Sequence, residues 1–359
     1  MNEALAQLRQ AIDVIDDQLL ALLNERARLA QSVGHVKRSS GEQGGPIYRP
    51  EREAQVVRRL QAANGGPLPN ESVERLFKEV MSACRALEQS LTVAFLGPVG
   101  TFSEAAALKQ FGQSALGHPV ASIDEVFKSV EAGLAQYGVV PVENTTEGAI
   151  GRTLDLLLTT PLAVCGEVTL RVRQNLIRQT GDLAGVRVVY SHAQSLGQCA
   201  GWLNDHLPNA ERVAVASNAE AARLAAAHPD SAAIAGERAA EQYGLAIVVP
   251  EIEDAAGNST RFLVLGKEDA APSGKDKTSL AVHVRNKPGA LLELIEPFAR
   301  LGVGLSKLES RPAKSGNWEY VFFIDLDGHR QDSRVAEAIR EASGHALSLK
   351  VLGSYPAAL

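Results

Sequence analysis

The chain has 359 residues, 45% hydrophobic and 22% charged; that is too long for one ordinary core and has the composition of a globular protein. Its net charge is −6, and residues 1–90 carry 12 basic and 12 acidic side chains, so no basic domain offers itself to nucleic acid. No apolar run approaches the roughly 20 residues that span a bilayer, the N-terminus lacks a secretory signal, and three scattered cysteines (Cys84, Cys165, Cys199) argue against a disulfide scaffold or zinc ribbon. The expectation is a multidomain cytoplasmic protein acting on small molecules, with no nucleic-acid or membrane partner and no metal.

Residues 1–90 read as an all-helical domain. Leu8, Ile12, Ile15, Leu19, Leu22, Arg26, Leu29, Val33 and Val36 recur in steps of three and four, and only Arg26 is not apolar. Such a helix is roughly 45–50 Å long at 1.5 Å per residue. A monomeric domain of this size cannot cover it, so a helical dimer is expected. A Gly/Ser-rich loop from Arg38 to Pro46 ends the helix, and a second helix starts near Arg49. A third is expected from Glu71 to Gln89, with Asn70 as N-cap.

From Leu91 short β-rich runs alternate with helical patterns, which implies an α/β domain over residues 91–267. Ser122 and Glu125 form a capping box, and the stretch Val164–Ile177 is long enough to cross between two lobes and leave a cleft. Residues 268–277 are polar with Pro and Gly and read as a linker. Residues 278–359 then follow the βαββαβ order of a ferredoxin-like α+β unit.

Arg26 is the anomaly of the first helix, because a guanidinium in an apolar seam needs a partner. It is either a register-setting residue of the dimer or half of an anion site. Leu8-Arg9-Gln10, Glu25-Arg26-Ala27, Gly34-His35-Val36-Lys37, Arg52-Glu53 and Ala86-Leu87-Glu88-Gln89 together resemble the all-helical chorismate mutase family. The resemblance implies a homodimer, or a higher oligomer, that shares helices between two sites. Arg9 of the other protomer and Arg26 would hold the two carboxylates of chorismate. Lys37 and Glu88 would face the ether oxygen, Glu53 would bind the ring hydroxyl, and Arg52 would line the site. A Claisen rearrangement needs a dianion held in its compact conformer and donors at the oxygen that gains charge. Some members of that family carry glutamine where this chain has Glu88. Only a protonated Glu88 could donate to the ether oxygen, so mutase activity is expected to fall as pH rises.

Four clusters in the α/β domain lie at the ends of expected strands, where α/β proteins place ligands. They are Gly97-Pro98-Val99-Gly100-Thr101-Phe102-Ser103, Pro141-Val142-Glu143-Asn144-Thr145-Thr146, Ser191-His192-Ala193-Gln194 with Gln198, and Asn258-Ser259-Thr260-Arg261-Phe262. The first is either an ordinary βα turn or an anion seat at a helix N-terminus, and His192 reads as a structural loop residue. In series the clusters resemble the prephenate dehydratase family. That resemblance implies two lobes like those of periplasmic binding proteins and no cofactor. Thr260 would assist departure of the ring hydroxyl, while Thr101, Asn144, Ser191 and Gln198 would bind prephenate with Arg261 close by.

Asn286-Lys287-Pro288-Gly289-Ala290-Leu291 and Leu308-Glu309-Ser310-Arg311-Pro312 resemble the motifs of the ACT regulatory domain. By that resemblance Gly289, Ala290, Leu291, Glu309, Ser310 and Arg311 would bind phenylalanine between paired domains. The expected function is therefore a Claisen rearrangement of chorismate to prephenate, then decarboxylative dehydration to phenylpyruvate, inhibited by phenylalanine. The alternatives are a non-catalytic amino-acid sensor, and a mutase fused to a dehydrogenase, which the lack of a GxGxxG fingerprint disfavours.

Overall fold

The computed structural model describes residues 2–39, 47–312 and 320–358. The chain divides into two compact units: residues up to Leu91 with Phe111–Leu116, and Thr92–Gln110 with Gly117–Leu359. The first unit contains α1 (Asn2–Ser39), α2 (Pro50–Ala63) and α3 (Asn70–Ala86). α1 has 38 residues and is about 57 Å long. Its seam is bare within the chain: Leu8 is 64% exposed, Leu22 61% and Val36 67%. Pro50 opens α2 with its φ already helical. Asn70, expected as a cap, is instead the first residue of α3; its Oδ1 accepts from Asn64 Nδ2 at 2.8 Å and no side chain caps the helix. α3 stops at Ala86, so Glu88 sits in the turn beyond it. Phe111 completes this unit, its ring 4.7 Å from that of Tyr48.

The second unit begins with β1 (Thr92–Leu96), α4 (Phe102–Phe111), β2 (Leu116–Val120), α5 (Ile123–Glu131), β3 (Tyr137–Asn144), β4 (Gly148–Ala149), α6 (Gly151–Thr159) and β5 (Ala163–Arg171). The expected capping box opens α5, with Glu125 N donating to Ser122 Oγ at 3.2 Å and Ala121 N to Glu125 Oε2 at 2.9 Å. The chain then crosses to a second lobe of β6 (Asn175–Arg178), β7 (Val188–His192), α7 (Ala193–Gln198), α8 (Ala200–His206), β8 (Glu211–Val215), α9 (Asn218–Ala227), β9 (Ser231–Ala235), α10 (Glu237–Tyr243) and β10 (Ala246–Val249). It returns to the first lobe as β11 (Ser259–Gly266). The sheet orders are β2-β1-β3-β11-β5 and β10-β6-β9-β7-β8. The stretch Val164–Ile177 is thus two strands, one in each lobe, broken at residues 172–174. Together with the return to β11 it gives two crossings and the cleft between them.

The C-terminal domain is β12 (Asp276–Val284), α11 (Ala290–Arg300), β13 (Leu305–Pro312), β14 (Tyr320–Asp327), α12 (Ser333–Gly344) and β15 (Ser348–Pro356). Its antiparallel sheet has the order β13-β14-β12-β15. Residues 268–277 are not a free linker. Asp276 and Lys277 already belong to β12, Ser273 N donates to Asp276 Oδ2 at 2.9 Å, and the His329 ring bonds the Ala270 carbonyl at 3.0 Å. Polar side chains do not prevent a short segment from packing when its own backbone groups find partners.

One face of this sheet buries Leu280, Val282 and Ile324 against α11 and α12. The other joins the core of the first lobe, where Phe323, Leu352 and Tyr355 meet Val142, Leu154 and Leu263. Because that core is shared, Phe323→Ala should cost about 3–5 kcal/mol and residues 92–359 should unfold in one calorimetric transition. A separate C-terminal transition in the wild-type protein would contradict the shared core.

Candidate active sites

The interlobe cleft has a volume of about 770 Å³. Thr101, Asn144, Gln198 and Thr260 line it, from four separate segments of the chain. Asn144 ends β3 and faces Thr260, its cross-strand partner on β11. Asn144 Nδ2 donates to Thr260 Oγ1 at 2.8 Å and to Asn258 Oδ1 at 2.8 Å, while Asn144 Oδ1 accepts from Thr146 N at 2.9 Å and Glu147 N at 3.1 Å. Asn144 is therefore fixed by its own turn, and its donation to Thr260 Oγ1 leaves the threonine proton free to point into the cleft. Gln198 Oε1 accepts from Gln174 Nε2 at 3.2 Å, whereas Gln198 Nε2 is buried with no partner among the described residues.

The glycine-rich turn 97–103 delivers the N-terminus of α4 to the same cleft. Gly97–Pro98 is cis, and Gly100 adopts φ +87 against the Tyr243 ring. Gly100 N donates to Glu104 Oε2 at 2.5 Å, and Arg238 holds that carboxylate at 3.0 Å. The start of α9 also reaches the cleft through Ser217 and Asn218. Two helix N-termini thus point partial positive charge inward, yet no Lys, Arg, Asp or Glu lines the wall; His192 is its one ring base among the described residues.

Two expected residues lie elsewhere. Ser191 is fully buried behind the wall, its Oγ donating to Ile234 O at 2.8 Å and lying 3.1 Å from Asn218 Oδ1. Arg261 does not line the cleft. Side chains alternate along a strand, so Thr260 facing the cleft sends Arg261 to the opposite face, against Glu167 and Asp325. The cleft also uses Asn258, which opens the 258–262 cluster but was given no role there, and Gln174 and Asn218, which carry no local signal.

In the helical unit Arg26 is half-buried and its Nη1 donates to Cys84 Sγ at 3.0 Å. Glu88 lies over Gly34 of α1, where a Cβ would sit 2.8 Å from its Cδ. Glu53 pairs with Arg85, which also donates to Phe111 O at 2.5 Å; Arg85 was not foreseen. Arg52 and Arg9 are exposed. The 17 helical steps from Arg9 to Arg26 place them about 25 Å apart along α1, too far for one chain to bring both to one ligand. Lys37 is in α1, with its side chain outside the described residues.

The C-terminal motif residues divide between two faces. Gly289, at φ +81, precedes α11, and Ala290 is buried at its start. Ser310 pairs with Phe322, on the helix side of the sheet. Glu309 and Arg311 pair with Phe323 and Val321 and so face the first lobe. The Arg311 guanidinium covers Gly151 at the start of α6, leaving no room there for a side chain, and lies 3.6 Å from Asp155.

Three family models match in series: chorismate mutase type II over residues 8–89, prephenate dehydratase over 93–270 and the ACT domain over 278–344. The chain is similar to a bifunctional chorismate mutase/prephenate dehydratase of Stutzerimonas stutzeri, 52% identical over all of both chains. A solved prephenate dehydratase from Arthrobacter aurescens in complex with L-Phe is 35% identical, with a TM-score of 0.68 over 74% of this chain and 90% of that one. A structure described as a quorum quenching acylase, GqqA, is 28% identical, also with a TM-score of 0.68, over 74% of this chain and 98% of its own.

Burial pushes the Glu53 carboxyl above its ordinary value, against the lowering pull of Arg85, Lys78 and Arg26. The folded state therefore binds that proton more tightly than the unfolded chain. This favours folding at low pH, and the advantage is lost as pH rises from about 4.5 through the raised value. Across that window the stability of wild type relative to Glu53→Gln should fall by about 1.4 kcal/mol per pH unit. Thermal melts of both proteins in a pH series check this, and parallel curves would contradict it.

Proposed function

The chain belongs to the family of bifunctional chorismate mutase/prephenate dehydratases, and from that premise we propose how its residues divide the two reactions. The helical unit rearranges chorismate to prephenate, the cleft converts prephenate to phenylpyruvate, and the ACT domain makes the enzyme answer to phenylalanine. The bond from Asn144 to Thr260 across the cleft wall carries the dehydratase assignment.

In the cleft the bond from the ring to its carboxylate breaks as carbon dioxide leaves. The electron pair moves into the ring, and the ring hydroxyl departs and leaves as water once protonated. Thr260 hydrogen-bonds the departing oxygen, with its own lone pair occupied by Asn144 Nδ2. Gln198 Nε2 and the N-termini of α4 and α9 hold the carboxylates. Neutral donors suit this chemistry: a guanidinium on the departing carboxylate would bind the substrate more strongly than the transition state. Arg261 is assigned no contact with substrate, and Ser191 acts on the cleft only through Asn218.

In the helical unit Arg26 and the partner protomer's counterpart of Arg9 clamp the two carboxylates. Lys37 and Glu88 face the ether oxygen, and Glu53 takes the ring hydroxyl. A homodimer follows from this division, because the exposed seam of α1 needs a second copy and Arg9 lies too far from Arg26 on its own helix. Phenylalanine binds at Gly289–Leu291 and Glu309–Arg311, where β13 is the end strand of the sheet among the described residues and can pair with its copy. No cofactor or metal is required, and the enzyme works in the cytoplasm; no described helix is long and apolar enough to cross a membrane. The acylase neighbour shares the fold of the cleft and C-terminal domain, and a fold alone does not transfer an activity.

Purified protein given chorismate without cofactor should consume it and form phenylpyruvate, less of it with phenylalanine present. Arg26→Ala should lose mutase but keep prephenate turnover. Thr260→Ala should do the reverse, its dehydratase rate falling about 100-fold or more. Turnover surviving in both variants would overturn the site assignments. Glu88→Ala should lower mutase turnover and leave prephenate turnover intact; unchanged mutase turnover would remove Glu88 from the site.

A further inference from the structure

The pairing of β3 with β11 sets Asn144 opposite Thr260 and, one residue along, Glu143 opposite Arg261. The first pair faces the cleft. The second faces the ACT sheet, and every strand of that sheet sends it a polar group. Arg261 Nη1 donates to Asp325 Oδ2 of β14 at 2.6 Å, and Nη2 to Tyr355 Oη of β15 at 3.0 Å. Lys307 Nζ of β13 donates to Glu143 Oε2 at 2.7 Å. Ser279 of β12 donates to Asp325 Oδ1 at 2.5 Å and lies 2.6 Å from Tyr355 Oη. Arg261 Nε donates to Glu167 Oε2 of β5 at 2.8 Å, and Lys277 holds the other oxygen of that carboxylate at 2.8 Å.

The network balances three carboxylates (Glu143, Glu167, Asp325) against three cations (Arg261, Lys277, Lys307), and its centre is largely buried: the Glu167 side chain is 1% exposed and that of Arg261 15%. Two features join it to the cleft. Arg261 and Glu143 are peptide neighbours of Thr260 and Asn144, and the β3–β11 register shifts immediately after Arg261. Lys307 lies on the same strand as Glu309 and Arg311, the residues assigned to phenylalanine.

We propose that Arg261 is a positioning residue for the dehydration step, holding β11 against the ACT sheet so that Thr260 stays aligned with Asn144, and that the ACT domain acts on the reaction through this contact. The inference rests on the reading of Thr260 as the group that assists the leaving hydroxyl. A buried charge that loses one partner is costly, so a shift of β13 or β14 that breaks Lys307–Glu143 or Asp325–Arg261 forces β3 or β11 to move, and Asn144 or Thr260 moves with it.

The test uses the full-length enzyme with Asp325→Asn, Lys307→Met and Arg261→Lys, and Thr260→Ala alongside. Dehydratase kcat should fall about tenfold in Arg261→Lys and Asp325→Asn, with KM changed less than about twofold, and thermal melts of the full-length variants serve as the control for folding. The factor by which phenylalanine lowers dehydratase turnover should collapse toward one in Lys307→Met and Asp325→Asn while phenylalanine still binds by calorimetry. A merely structural contact lowers the melting temperature and leaves that factor unchanged. Wild-type kcat and coupling in all three variants, or lower melting temperature with intact coupling, would overturn the proposal. Dehydratase activity surviving in Thr260→Ala would instead overturn the reading on which it rests.

Discussion

A β-strand must turn successive side chains to opposite faces, and the second unit is organised around that constraint at Thr260 and Arg261. β11 returns from the second lobe and enters the first sheet between β3 and β5, so both of its edges are hydrogen-bonded. It cannot slide without breaking two ladders, and a one-residue slip would exchange its two faces. The cleft on one side and the C-terminal sheet on the other are therefore fixed by the same eight residues. The apolar part of the contact, Leu263 and Val142 against Phe323 and Leu352, supplies attraction without direction. The balanced charges beside it supply direction, since each has a specific partner to lose.

The two active sites solve opposite electrostatic problems. Chorismate keeps both carboxylates through the rearrangement, and cations can hold them throughout without opposing the reaction. Prephenate loses one carboxylate as neutral carbon dioxide. The cleft accordingly offers amides, hydroxyls and two helix N-termini, which orient an anion while binding it less strongly than a guanidinium does. Placing Arg261 on the far face keeps its charge out of the cleft.

The sequence showed most of this architecture, and its failures have physical causes. The α1 seam was legible because helical period and apolar character coincide at eight of nine recurring positions, and the crossing at Val164–Ile177 was legible because no single sheet needs so long a strand. The Thr-Arg-Phe cluster was legible as a motif but not as geometry: three adjacent letters on a strand occupy two faces, so Thr260 and Arg261 part company. Ser191 fails for a related reason, since on β7 it turns toward Ile234 and the neighbouring His192 takes the exposed position. Gln174 and Asn218 were invisible because isolated amides in a crossing and a helix start have no pattern to recognise. The segment 268–277 misled because polar composition reports solubility of side chains and says nothing about the partners its backbone finds.

The two crossings between the lobes carry a consequence for motion. Residues 172–174 and 250–258 are the only covalent links, and they are bonded to each other: Val172 N donates to Asn258 O at 2.8 Å, Ile252 N to Gln174 O at 2.7 Å and Gln174 N to Glu253 Oε2 at 3.0 Å. Any change in the angle between the lobes has to be absorbed in these few residues. Val172, Gln174 and Asn258 also line the cleft. Hinge and binding surface are thus the same side chains, and a ligand that touches the floor of the cleft touches the part that bends.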